Sequence, residues 1–169
     1  MYHPTIPNLV FVGTSEGIYR SENNFESFLP VETGNPWEYN FDYNYIEFHP
    51  SDQNIVYAST FNNDSQIYIS TDLGQSFFQS GFISENTSNI QLSVSAACED
   101  CVFIGTSDGV WKSENQGENF TFISDPEIDN YGAFTVSDTD INYMIFGDID
   151  THRSTDGGQT WNQVTYWST

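Results

Sequence analysis

Positive charge is what this sequence has least of. Arg20, Lys112 and Arg153 stand against 24 acids, giving a formal net charge of −21 over 169 residues. Binding nucleic acid requires clustered Lys and Arg to neutralise phosphates, so that class is excluded, and attraction to anionic membranes with it. Long apolar runs are missing too, and without about eighteen consecutive apolar residues no membrane insertion is expected. The first residues lack a basic stretch followed by an apolar core, so no signal peptide is legible in this chain. No segment joins helical periodicity to caps. Cysteine is limited to Cys98 and Cys101 in "CEDC". A zinc site needs about four ligands, and no further Cys or His pair accompanies these two. A redox CxxC opens a helix beside a βαβ unit, which is also absent. Two readings remain: a local disulfide clipping a turn, or two reduced thiols with Cys101 in an apolar column. The disulfide would favour a location outside the cytoplasm.

What the chain has in quantity is aromatic residues, 17% of the total, and they recur in register. "STDGGQTW" (154–161) is matched by "STDLGQSF" (70–77), by "SENQGENF" (113–120) and, in worn form, by "SENNFESF" (21–28). The starts lie 49, 43 and 41 residues apart, a period that points to a repeat architecture. The repeat extends upstream of each box. "NLVFVGT" (8–14), "NIVYAST" (54–60), "DCVFIGT" (100–106) and "NYMIFGD" (142–148) align without gaps. "GIYRS" (17–21), "QIYIS" (66–70), "GVWKS" (109–113) and "DTHRS" (150–154) then run into the boxes. Alternating apolar pairs Ile46/Phe48, Leu92/Val94 and Phe134/Val136 precede three of the copies.

These segments are short, β-branched and aromatic, and are bounded by Gly, Asn, Asp and Pro, so they read as strands. Each repeat supplies four, A to D, with the box forming the C–D turn. Strand B is apolar at consecutive positions and so is buried on both faces, while the strand order indicates antiparallel meanders. An antiparallel four-stranded sheet covered on both sides and repeated at this period is a blade between blades. The expected fold is therefore an all-β propeller, one domain over 1–169, with blades at about 1–31, 43–80, 89–124 and 130–169.

The pattern S/T-x-D-x-G-x-x-W/F resembles the Asp-box, or BNR, repeat of sialidases, sortilin-type ectodomains, family 74 xyloglucanases and the photosystem II assembly factor. The resemblance covers essentially the whole chain and implies a propeller, but the fold serves enzymes and binders alike. It makes Ser21, Asn23 and Phe28, then Ser70, Asp72, Gly74 and Phe77, scaffold residues of the first two turns. Ser113, Asn115, Gly117 and Phe120, with Ser154, Asp156, Gly158 and Trp161, serve the other two. In this architecture the C–D turns lie opposite the ligand face. Sialidase activity is discounted, because it needs an arginine triad and only Arg20 and Arg153 exist, both beside boxes. The three basic residues share one repeat column, which suggests stems laid on apolar surface and heads on neighbouring turns. His3 and His49 share an A–B turn column and His152 falls in strand C, so no catalytic triad is expected.

The ligand face should therefore be built by the D–A and B–C loops. In "GNPWEYNFDYNY" (34–45), Trp37, Tyr39, Phe41 and Tyr43 alternate with acids and amides, Asp42 among them, as sugar stacking would require. An extended edge strand packing its aromatic side on a neighbouring blade would give the same alternation. Asp64, Asp148 and Asp150 belong to the same face. Asp148 with Asp150, or Asp125, Glu127 and Asp129, supply oxygen ligands of the kind Ca²⁺ takes, although neither run is an EF-hand loop. No other cofactor is indicated. "NDS" (63–65), "NTS" (86–88) and "NFT" (119–121) fit the N-glycosylation pattern of a secretory host.

The expected function is a secreted or cell-surface binding or scaffold module for polysaccharide or protein. The alternatives are part of a family 74-like glycoside hydrolase and an assembly factor with a protein partner. The first repeat opens at the end of its strand A, and eight residues follow Trp161, so a longer propeller or a protomer completed by another chain is expected. The charge also makes a thermodynamic prediction. Screening should relieve carboxylate repulsion, so the melting temperature should rise between low salt and about 0.5 M NaCl. A flat or falling thermal scan would contradict it.

Overall fold

The computed structural model describes residues 1–34, 42–61, 65–81, 89–127, 132–147 and 149–166, with Asp42 and Asn44 in backbone only. These residues form fifteen strands in four sheets, each a sequential antiparallel meander. Blade one holds β1 (Val10–Thr14), β2 (Gly17–Ser21) and β3 (Leu29–Pro30). Blade two holds β4 (Asp42–Phe48), β5 (Val56–Phe61), β6 (Ile67–Ser70) and β7 (Phe78–Gln79). Blade three holds β8 (Gln91–Ser95), β9 (Cys98–Thr106), β10 (Gly109–Ser113) and β11 (Thr121–Ser124). Blade four holds β12 (Ala133–Val136), β13 (Met144–Gly147), β14 (Thr151–Ser154) and β15 (Asn162–Gln163). Among the described residues there is no helix.

The period-2 pleat divides each blade into two faces, and the repeat columns show where each face goes. Leu9, Phe11 and Ile18 of blade one meet Val56, Ala58, Tyr68 and Phe77 of blade two in one buried cluster. Ile55, Tyr57, Ile67 and Ile69 of blade two meet Val102, Ile104 and Trp111 of blade three. Cys101, Phe103 and Val110 of blade three meet Met144, Phe146 and the partly buried Trp161 of blade four. One set of columns always faces the following blade and the other always faces the preceding one. Consecutive apolar residues in strand B are thereby buried on both sides, as the sequence pattern requires.

The arc is open among the described residues. β15 pairs with β14 inside its own blade, through His152–Gln163 and Arg153–Asn162. Blade one keeps a remnant of strand A, since Tyr2 bridges Val10 and the Met1 carbonyl accepts from the Phe11 amide at 2.9 Å. Phe28 departs from expectation. It is 53% exposed, whereas Phe77 in the same column is buried. Its neighbours explain this: Phe77 is covered by blade one, while Phe28 faces the side on which the described residues form no blade.

Glycine matters most at the fifth box position. Gly74 has φ +70°, and a Cβ there would meet the Phe11 ring of blade one. Gly74→Ala is therefore expected to cost about 2–4 kcal/mol in denaturant unfolding, from backbone strain plus overpacking. Gly34→Ala is the control. It has similar φ (+69°) but only ordinary contact at 3.6 Å, and should cost about 1 kcal/mol.

Candidate functional site

The four boxes build the same hydrogen-bonded turn. Ser70 Oγ donates to Asp72 Oδ1 at 2.8 Å and accepts the Gly74 amide at 2.8 Å. Asp72 Oδ1 also accepts the Gln75 and Ser76 amides, each at 2.9 Å, and Oδ2 takes the Ser76 hydroxyl at 2.6 Å. Ser154 and Asp156 repeat this with Gly158 and Thr160. Ser113 does so with Asn115 and Gly117, and Ser21 with Asn23 and the Phe25 amide. All four serines are buried. The carboxylates are thus engaged by the turn that holds them.

One regularity in the boxes escaped the sequence reading although it is visible there. Where the third position is Asp, the second is Thr (Thr71, Thr155); where it is Asn, the second is Glu (Glu22, Glu114). The moved carboxylate finds the adjacent cation, as Arg20–Glu22 at 2.8 Å and Lys112–Glu114 at 2.6 Å. The cation stems lie as the repeat column suggested. Arg20 sits over the Phe11 ring and its Nε donates to the Leu73 carbonyl of the next blade at 3.1 Å, and Lys112 lies over Phe103. Arg153, in the same column, is exposed.

Histidine also serves turns. His3 Nδ1 accepts the Thr5 and Ile6 amides, and His49 Nδ1 accepts the Ser51 and Asp52 amides. Both rings are buried. Cys98 and Cys101 form a disulfide with Cα atoms 5.3 Å apart, and Cys101 also sits in the apolar column between blades three and four. The bridge overturns the reduced-thiol alternative, although Cys101 does occupy the apolar column that alternative assigned to it.

The anticipated ligand face is described only in part. Trp37, Tyr39, Phe41, Asp64, Asp129 and Asp148 lie outside the described residues, and Asp42 is described only as backbone of β4. Tyr43 is not a surface platform: it is buried between blades one and two, with its ring 5.4 Å from that of Tyr68. Burial pushes its hydroxyl's pKa up. The alternation had placed Tyr43 with the other aromatics, but the inner face of β4 claims it for the core. Asp150 Oδ2 accepts the Gln163 amide group at 2.7 Å. Asp125 Oδ1 accepts the Glu127 amide at 2.8 Å.

The most perturbed carboxyl is one that the sequence did not single out. Glu47 lies opposite Tyr57 in the β4–β5 pairing, and burial, then repulsion from Asp138, pushes its pKa from 4.5 to about 7. It sits at the A–B turn end of β4, on the side of the boxes rather than of the B–C and D–A loops. Tyr45, two residues earlier, packs into the seam with blade three.

A sequential array of blades with these turns defines the class: a β-propeller arc. An ancestral GH74 enzyme shares the fold with a TM-score of 0.78 at 22% identity, over 97% of this chain and 25% of its own. The GH74 enzyme of Niastella koreensis gives 0.73 at 22% identity, over 96% and 28%. YCF48 of Cyanidioschyzon merolae gives 0.53 at 18% identity, over 80% and 38%. The chain thus spans about a quarter of the length of these GH74 proteins. No protein-family profile matches it, and no curated protein sequence does.

The turn and Glu47 give opposite pH dependences. Desolvation alone would raise the Asp72 carboxyl, but hydrogen bonds from Ser76, Ser70 and Gln75 together hold it below its ordinary value. Bonds from the Thr160 hydroxyl and amide, then Ser154, take Asp156 from 3.8 to about 2. Depressed acids stabilise the fold above their unfolded pKa, so this contribution should fade as pH falls from about 4 to 2. Asp72→Ala should cost about 1–2 kcal/mol at neutral pH in denaturant unfolding. Glu47, being raised, stabilises most below pH 4.5 and loses that contribution as pH rises through about 7. Glu47→Gln should therefore raise the melting temperature near pH 8 and leave it nearly unchanged near pH 4. Equal shifts at both values would show that its carboxyl titrates normally.

Proposed function

We propose that this chain is an extracytoplasmic β-propeller module whose B–C and D–A loop face binds an extended polysaccharide. The observation that carries the reading is the fold correspondence with GH74 proteins over 97% of the chain, one relative being the xyloglucanase of Xanthomonas campestris (TM-score 0.70, 14% identity). The sequence supplies suitable chemistry on that face. The segment 34–45 alternates flat aromatic rings with carboxylates and amides, which stack on sugar faces and bond hydroxyls. The box acids are engaged on the opposite side, which leaves the loop face as the variable one. The Cys98–Cys101 bridge supports an oxidising location. The boxes themselves support the Asp-box assignment through their shared turn geometry.

Two other readings have particular support. A glycoside hydrolase would need two carboxyls at a defined separation across the substrate, and this chain's raised acid, Glu47, lies toward the box side. Hydrolysis by this chain alone is therefore the weaker reading. Peptide recognition is favoured by the likeness to YCF48 bound to D1 peptide, at a TM-score of 0.50 and 11% identity over 96% of this chain. Ca²⁺ at Asp148 and Asp150, or at Asp125, Glu127 and Asp129, would be a stabilising adjunct to any of these.

Titration calorimetry with xyloglucan oligosaccharides, alongside a reducing-sugar assay, separates the three. Binding without hydrolysis is expected, and Trp37→Ala should weaken it by about tenfold, as losing one stacking aromatic does, without changing the melting temperature. An unaltered affinity would remove the segment 34–45 from the site. A melting temperature that rises with micromolar Ca²⁺ would identify a metal contribution.

A further inference from the structure

Box three departs from the other boxes at two positions where it enters strand D. The seventh position is Ser27, Ser76 or Thr160 elsewhere and Asn119 here. The ninth is Leu29, Phe78 or Asn162 elsewhere and Thr121 here. Asn119-Phe120-Thr121 thereby makes box three the one box with an Asn-x-Thr tripeptide, x being other than proline. The tripeptides at Asn63 and Asn86 belong to no box, and both asparagines lie outside the described residues.

The hydrogen bonds of the turn show why an asparagine is accommodated at the seventh position. In boxes two and four the hydroxyl there is tied to the box acid: Ser76 and Thr160 donate to Asp72 Oδ2 and Asp156 Oδ2, each at 2.6 Å. In box one Ser27 Oγ accepts from Asn23 Nδ2 at 2.9 Å. In box three Asn115 Nδ2 turns to Glu118 Oε2 at 3.5 Å. Asn119 serves this turn through its backbone amide, which donates to Asn115 Oδ1 at 3.1 Å. Side chains alternate at the entry to β11. Phe120 packs into the seam between blades two and three, while Asn119 and Thr121 on either side of it are exposed. An open groove of about 390 Å³ lies beside them, lined also by Lys112, Glu114, Asn115 and Ile123.

We infer that Asn119 is a site of N-linked glycosylation when this chain passes through a eukaryotic secretory pathway, an inference that rests on the extracytoplasmic reading above. The co-reactant is a lipid-diphosphate-linked oligosaccharide. Asn119 Nδ2 forms a bond to C1 of its reducing-end sugar, the bond from C1 to the phosphate oxygen breaks, the amide gives up one proton, and the lipid diphosphate leaves. Thr121 supplies the hydroxyl that the tripeptide requires. A glycan is bulky and solvated, so the folded chain must keep its anchor at the surface. Asn119 meets that condition on the box side, with the groove as room for the first sugars.

The full chain, secreted from mammalian cells behind an added signal peptide, tests this. Cleavage after Lys112 and Arg153 isolates residues 113–153, which hold Asn119 and neither of the other two tripeptides. In most molecules of the folded, Cys98–Cys101-bridged chain that peptide should carry a glycan, and its enzymatic release should leave aspartate at position 119. Asn119→Gln and Thr121→Ala should each abolish the modification, and Thr121→Ser should retain it. Asn119→Gln should leave the melting temperature of unglycosylated chain unchanged, because the turn bond is made by the backbone amide. An unmodified peptide as the predominant form overturns the inference. So does modification at Asn119 that survives Thr121→Ala. Since the signal peptide imposes the location, either result counts against this site and not against the extracytoplasmic reading.

Discussion

No blade of this protein buries its own surface. A four-stranded sheet has two apolar faces and no internal core, so each blade depends on the contact that a neighbour makes with it. Phe11 against Gly74 shows what that contact requires: a ring on one blade, and on the next a residue without a side chain at a backbone conformation suited to glycine. The seam fixes blade spacing, and with it the direction in which the turns and loops project.

The box turns serve the seam from outside. A buried serine hydroxyl organises each turn, donating to the third-position Asp or Asn and accepting the fifth-position amide. That geometry sets positive φ at the fourth and fifth positions, as at Leu73 (62°) and Gly74 (70°). The amide of the fourth position is then free to return to strand B, as Leu73 does to the Asn54 carbonyl and Gln116 to that of Asp100. Polar turn and apolar seam are consequently one unit. Two of the four turns hold a carboxylate that serine, threonine and backbone donors solvate, and in the other two Glu22 and Glu114 pair with the adjacent cation.

On the side of the boxes and A–B turns, the serines, the box acids and the histidines His3 and His49 are spent on turn hydrogen bonds. Glu47 marks a different tension. A carboxyl on an inner strand, opposite Tyr57, is pushed up to about 7 by burial and then by repulsion from Asp138. With three basic residues, all in one outer column, the chain has none to place there.

The sequence by itself determined the blades. Box spacing and the aligned strand B segments could be read directly, because period-2 patterning and turn chemistry are local, whereas the state of Cys98 and Cys101 stayed open until the structure joined them. The exchange of Thr-Asp for Glu-Asn within the boxes is equally local. Only the tertiary structure decided which face each residue occupies. Tyr43 belongs to the alternating run of 34–45, yet a seam takes it inward; Phe28 has the box aromatic's place, yet is exposed. The pKa of Glu47 is raised by burial between blades and then by Asp138, which belongs to blade four. Those outcomes rest on which surfaces are covered by distant segments, and no local pattern records the presence or absence of a neighbouring blade.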